Sequence, residues 1–270
     1  MVERSEAARP TPETRAVVVR GLAKSFGDKV AVGGIDLDVP RGSFYGLVGP
    51  NGAGKSTTIK MCTALLRPDA GRVWVDGHEV WADTHEAKCR FGVLPDDLPL
   101  FERLTGDEFL SFLGMFRGLA PEDVASRCAE LLDVLDLTSD ARVLVADYST
   151  GMRKKISLAA AVLHAPRVLF LDEPFESVDP VSARTIQDLL RTFCAGGGTV
   201  VLSSHVMDTV ERLCDHVAIV NLGHIVLQGP VDEVRGGRRL EDVFIDAVGG
   251  SHRTAADLDW LAGRNGDARP

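Results

Sequence analysis

The stretch Gly49-Pro50-Asn51-Gly52-Ala53-Gly54-Lys55-Ser56-Thr57 fits the spacing GxxxxGK[ST]. That spacing suits the holding of phosphate. Its glycines let backbone N–H groups curl around phosphate oxygens without Cβ clashes, and a following helix adds the positive potential of its N-terminus. Lys55 would place a full charge on the β and γ phosphates, and the Ser56 hydroxyl can coordinate Mg2+. The competing reading is an ordinary glycine-rich turn. The context favours phosphate, because a buried strand "FYGLV" comes before the loop and a helix with an apolar face comes after it.

A carboxylate on the metal side should end another buried strand, and "VLFLDEP" offers Asp172 with Glu173 next to it. Asp172 would hold Mg2+ through water. Glu173 would polarise the attacking water, a contribution of about 10²- to 10⁴-fold in rate. Alone, "DEP" also reads as a solvated turn. His205 follows the strand "TVVLSS", at the carboxyl end where a parallel sheet gathers groups around a ligand. A lone histidine would otherwise be a surface or core residue.

These groups need a sheet to hold them. "AVVVRGLAKSF" and "VAVGGIDLDV" read as strands, and "GRVWVDGHEV" reads as a hairpin turning at Gly77. "GDEFLSFLGMFRG" and "PEDVASRCAELLDVLDL" read as helices; Pro121 sits in a first turn, and Val124, Cys128, Leu131, Leu132 and Leu135 share a face. After Ala165 the strands "RVLFLDEP", "TVVLSSH" and "HVAIVNLGHIVLQG" return, with a helix "PVSARTIQDLLRTFCAGGG" between them. Alternation of this kind implies a parallel sheet. Residues 1–15 and 250–270 lack periodic apolar positions and are expected to be disordered tails.

A formal charge of −9 over 270 residues argues against a nucleic-acid binder. The five cysteines form no CxxC pair, which suits reduced thiols in cytosol. No apolar run reaches the ~18 residues of a membrane span, and the N-terminus has no apolar core of a secretory signal.

"YSTGMRKK" presents a puzzle. With Ser149 as N-cap, Ile156, Ala159, Ala160 and Leu163 keep helical spacing. Arg153, Lys154 and Lys155 then crowd the positive end of the helix dipole, and an anion would relieve them.

In this order the motifs resemble the ATP-binding subunit of ABC transporters, over nearly all of residues 16–247. "YSTGM" sits at the family's signature loop, "FESVD" at its D-loop and "SSH" at its switch histidine. "LPDDLPLFERLT" and "YSTGMRKK" look most like exporters of the ABC-2 type, of the kind that carries drugs and antibiotics. The resemblance implies an α/β fold: a P-loop NTPase core of RecA-like type with an antiparallel β subdomain and an α-helical subdomain, the ABC ATPase arrangement. The ATPase domain would span 16–249, with the helical subdomain at about 96–165. It also implies ATP and Mg2+ as cofactors, a head-to-tail dimer with a second copy or a similar subunit, and a polytopic membrane permease. The chain would then be cytoplasmic and peripheral on the inner face of the cell membrane.

By that resemblance, Phe26 stacks on adenine, with plain core packing as the alternative. Ser149 and Gly151 meet the γ-phosphate of ATP held by the other subunit, and Asp179 belongs to the nucleotide site. Three departures stand out. Asp96 replaces the Q-loop glutamine and would be an anionic ligand near Mg2+. Thr150 and Met152 alter the signature. Glu176-Ser177-Val178 replaces the usual D-loop residues, with less backbone freedom at Ser177.

Other classes compete. One is a soluble ABC-superfamily ATPase acting in assembly, such as iron-sulfur assembly. Another is a degenerate module that grips ATP without turnover, against which Lys55, Asp172, Glu173 and His205 argue. No NKxD-type segment supports a GTPase. Leu98, Leu100 and Phe101 could receive a permease helix or could pack as a simple turn.

Overall fold

The computed structural model describes residues 14–96 and 100–249. The expected tails fall almost wholly outside that range, as does Leu98. Thr14 and Arg15 are described, and Arg15 already pairs with Pro40 as the first residue of a strand.

The chain opens with β1 (Arg15–Phe26), β2 (Lys29–Pro40) and β3 (Phe44–Val48), followed by helix α1 (Lys55–Cys62). Next come β4 (Ala70–Val75), β5 (His78–Glu79), α2 (Thr84–Arg90) and β6 (Phe91–Leu94). A helical stretch holds α3 (Gly106–Phe116), α4 (Pro121–Val134) and α5 (Thr150–Val162). The chain then runs through β7 (Val168–Leu171), α6 (Pro180–Ala195), β8 (Thr199–Ser204), α7 (Met207–Leu213), β9 (His216–Asn221), β10 (His224–Pro230), α8 (Val231–Arg235) and α9 (Leu240–Val248).

Two sheets result. One, in the order β2-β1-β4-β5, is antiparallel; the other runs β10-β9-β3-β8-β7-β6 and is parallel except at its β10 edge. The short apolar strands β3 and β7 are buried throughout, as a sheet covered on both faces requires. Their side chains alternate. Tyr45, Leu47, Val168 and Phe170 face the antiparallel sheet and α1, whereas Phe44, Val48, Leu169 and Leu171 face α5, α6 and α7.

A third apolar cluster joins α3, α4 and α5, through Phe109, Leu110, Val124, Cys128, Leu132, Ile156 and Ala159. Within α4 the expected face holds, although Leu131 lies at its margin. Thr105 and Glu108 form a reciprocal capping box that fixes where α3 begins. The segment "HVAIVNLGHIVLQG" is two antiparallel strands, folded back at Leu222 and Gly223, both with positive φ.

This topology gathers the chemistry. Val48 pairs with Ser204, and Leu171 with Leu94 and Leu202, so β3, β6, β7 and β8 end side by side. Each strand releases one of the predicted segments from its carboxyl end.

Candidate functional site

The phosphate loop leaves β3 at Gly49. A Cβ on Gly49 would lie 2.2 Å from the Val220 carbonyl oxygen, and one on Gly54, at φ +107°, would lie 2.4 Å from that of Ala31. Only glycine lets the loop pass so close to β2 and β9. Ala53 is buried, and its N–H donates to Pro50 O. Lys55 is 5% exposed, and its ammonium donates to Gly49 O at 2.8 Å and Pro50 O at 3.3 Å. The loop is thus drawn around its own lysine.

Asp172 and Glu173 face this lysine from the end of β7. Asp172 Oδ1 accepts from Ser56 Oγ at 3.0 Å and from Ser203 Oγ at 2.5 Å. Its Oδ2 is buried with no hydrogen-bond partner. Burial raises the Asp172 pKa above its usual value, against the two serine hydrogen bonds that lower it. Glu173 has φ +46°, and its carboxylate is held on both sides: Oε1 lies 3.5 Å from Lys55 Nζ, and Oε2 lies 3.1 Å from His205 Nδ1. Ser203 ties the two acids together, since its Oγ also accepts the Glu173 N–H at 2.9 Å.

A cavity of about 400 Å³ opens at Lys55 and Glu173, lined in part by Phe26, Asn51, Gly52, Gly54, Lys55, Ser56, Thr57, Asp96 and Glu173, whereas Asp172 and His205 are not among its lining residues. That volume is within the usual range for small-molecule sites. Phe26 is 52% exposed at its rim, so it is not a core residue; Lys24 Nζ lies 5.7 Å from its ring centroid. Lys29, Ala31 and Glu176 also line the cavity and were not foreseen. Nor was Ser203, although a polar residue in the apolar run "TVVLSS" was a visible signal.

Ser149, Gly151 and Asp179 do not line this cavity. Ser149 caps α5 by accepting the Met152 N–H at 3.3 Å. Asp179 caps α6, with Oδ1 accepting from Val181 and Ser182 N–H at 3.0 Å; hydrogen bonding by the Ser182 side chain, then by these N–H groups, lowers its pKa. Its Oδ2 would lie 3.6 Å from a Cβ on Gly151, so the D-loop and the signature loop are neighbours. Ser177, where the family usually has glycine, takes φ +57°.

Two of the cations at the start of α5 have carboxylate partners within the chain. Arg153 donates to Glu102 Oε1 at 2.9 Å, and Lys154 Nζ lies 3.4 Å from Asp96 Oδ1. Leu100 is buried in the helical core, whereas Phe101 is half exposed and stands edge-on to Phe112, with ring centroids 5.3 Å apart.

The comparisons with known proteins agree with this geometry. The ABC transporter family matches residues 32–176, more than half of the chain, from β2 to Glu176. A daunorubicin resistance ATP-binding protein, DrrA3 of Streptomyces coeruleorubidus, is 38% identical over 235 residues, covering 86% of this chain and 74% of the relative. The linearmycin resistance ATP-binding protein LnrL of Bacillus subtilis (strain 168) is 37% identical, covering 77% and 67%. Among solved structures, an ATP-binding subunit of an ABC transporter superposes with a TM-score of 0.81 at 28% identity, over 86% of this chain and 99% of that one. With the phosphate loop, paired acids and histidine arranged as described, the chain belongs to the ABC transporter family, as its nucleotide-binding ATPase component.

Proposed function

We propose that this subunit powers export through a separate polytopic permease of ABC-2 type, working as a head-to-tail dimer on the inner face of the cell membrane. The observation that supports the dimer is that Ser149 and Gly151 do not line the cavity that Lys55 and Glu173 line. A second copy, or a similar subunit, would bring its signature loop over that cavity. Export follows from the drug-resistance relatives. Among the described residues no helix is long and apolar enough to cross a membrane, and in this reading the permease supplies the pathway. The half-exposed Phe101 and Phe112 pair offers that partner an apolar contact.

In this reading Phe26 stacks on adenine, and residues 49–57 with Lys55 cradle the phosphates. Ser56, Asp172 and Asp96 would hold Mg2+, which would neutralise phosphate charge. Asp172 accepts from the Ser56 hydroxyl through Oδ1 and keeps Oδ2 partnerless, which suits a cation, and bound phosphates and waters would complete the shell. Glu173 takes a proton from the attacking water, and His205 orients that carboxylate. Residues 16–249 form the ATPase domain, and the separate core of α3, α4 and α5 supports a helical subdomain at about 96–165.

The test is a search of the neighbouring coding sequences for a polytopic membrane protein, co-expression of the two, and ATPase assay of the purified complex. Recovery of a membrane complex whose hydrolysis is lost in Glu173→Gln is expected. A soluble complex would move the reading to assembly. A folded wild type in its membrane complex that neither binds nor hydrolyses ATP would overturn it.

A further inference from the structure

Lys154 touches three motifs at once. It is the fifth residue of α5, just past the first turn and near the end where the helix dipole disfavours a cation, yet its side chain is only 13% exposed. Its ammonium donates to the backbone carbonyl of Glu173 at 3.0 Å and lies 3.4 Å from Asp96 Oδ1. The Glu173 N–H is already held by Ser203. The peptide groups on both sides of Glu173 are therefore anchored, one to β8 and the other both to α5 and to the Glu176 N–H at 3.2 Å, around a non-glycine residue in the left-handed region.

We propose that Lys154 is a positioning residue for hydrolysis, which rests on the reading of Glu173 as the base. Its ammonium makes the shorter of two bonds to the Glu173 carbonyl, beside that of the Glu176 N–H, and so fixes the direction in which the carboxylate leaves the chain toward Lys55 and His205. Asp96, 44% exposed, holds the ammonium in place. A partly exposed ion pair contributes little by itself, so the bond to the carbonyl carries the effect and Asp96 orients its donor. Aspartate at the Q-loop position thus acquires a task that a neutral amide would perform without the ionic attraction. The start of the signature helix and the base become one mechanical unit.

The experiment compares the full-length wild type with K154M, K154R, D96N and E173Q. It measures kcat for ATP hydrolysis, the Kd for a fluorescent ATP analogue, and the melting temperature. K154M should lower kcat by about 10- to 100-fold, the range expected for a misplaced reacting group, with Kd changed by less than about twofold. K154R should recover most of the rate, and D96N should lose less than K154M. A kcat for K154M within about twofold of wild type would overturn the proposal, as would failure of K154R to rescue or a parallel loss of nucleotide affinity. Should K154M fail to fold, K154Q, whose shorter uncharged side chain reaches less far, takes its place under the same criteria. Wild-type turnover by E173Q would instead remove the base assignment, whereas a dead E173Q beside a normal K154M would sink Lys154 alone.

Discussion

His205 Nδ1 stands 3.1 Å from Glu173 Oε2, at the junction of the β7 and β8 ends. With Lys55 on the other oxygen, the carboxylate is aimed from two sides. Glu173→Gln keeps its shape and removes the proton acceptor. Phosphate release should fall by about 10²- to 10⁴-fold while ATP still binds. His205→Ala leaves one of the two contacts and should cost less. Turnover near wild type in Glu173→Gln would reject the assignment.

Ser203 donates to Asp172 and accepts from the Glu173 backbone, both inside the protein. Ser203→Ala leaves that N–H without its acceptor. A loss of about 1–3 kcal/mol in urea unfolding is expected, the usual cost of a buried group deprived of its partner. An unchanged midpoint would show that neither bond matters to stability.

Phe26 presents a ring face at the rim of the cavity. Phe26→Ala should weaken ATP binding by about 1–3 kcal/mol, the range for a base stacked on an aromatic. Phe26→Trp should preserve it. Fluorescence titration distinguishes the two, and equal affinity in Phe26→Ala would place adenine elsewhere.

His164 shapes the response to acid. Burial, and then the nearby Arg117 guanidinium, push its pKa down from 6.5 to about 4. Its folded value lies below the unfolded one, so the stability it contributes is complete above pH 6.5 and is lost as pH falls toward 4. The urea midpoint of the wild type should decline over that window. His164→Gln should flatten that part of the decline, and an identical slope in the variant would assign it to other groups.

The phosphate loop was legible because its chemistry belongs to one local string, and β7 because four apolar residues lead straight into Asp172. Phe26 and Asp96 needed the resemblance, since their neighbours in space are far away in sequence. Ser203 is not legible as functional, and Lys154 is legible only as one cation of a crowded helix start, because their importance rests on contacts 30 and 19 residues distant. Short elements also escaped notice. α2 and α7 have seven residues each and β6 has four, too few to show a period, so tertiary packing rather than pattern holds them.

Asp179 uses one oxygen to start α6 and holds the other beside Gly151. A methyl group would fit at Gly151, but a longer side chain would press on that carboxylate and, through it, on the first turn of α6. The two positions are therefore not free to drift separately. In a library randomised at both sites, survivors should show paired choices, with bulk at one position accompanied by a shorter cap at the other.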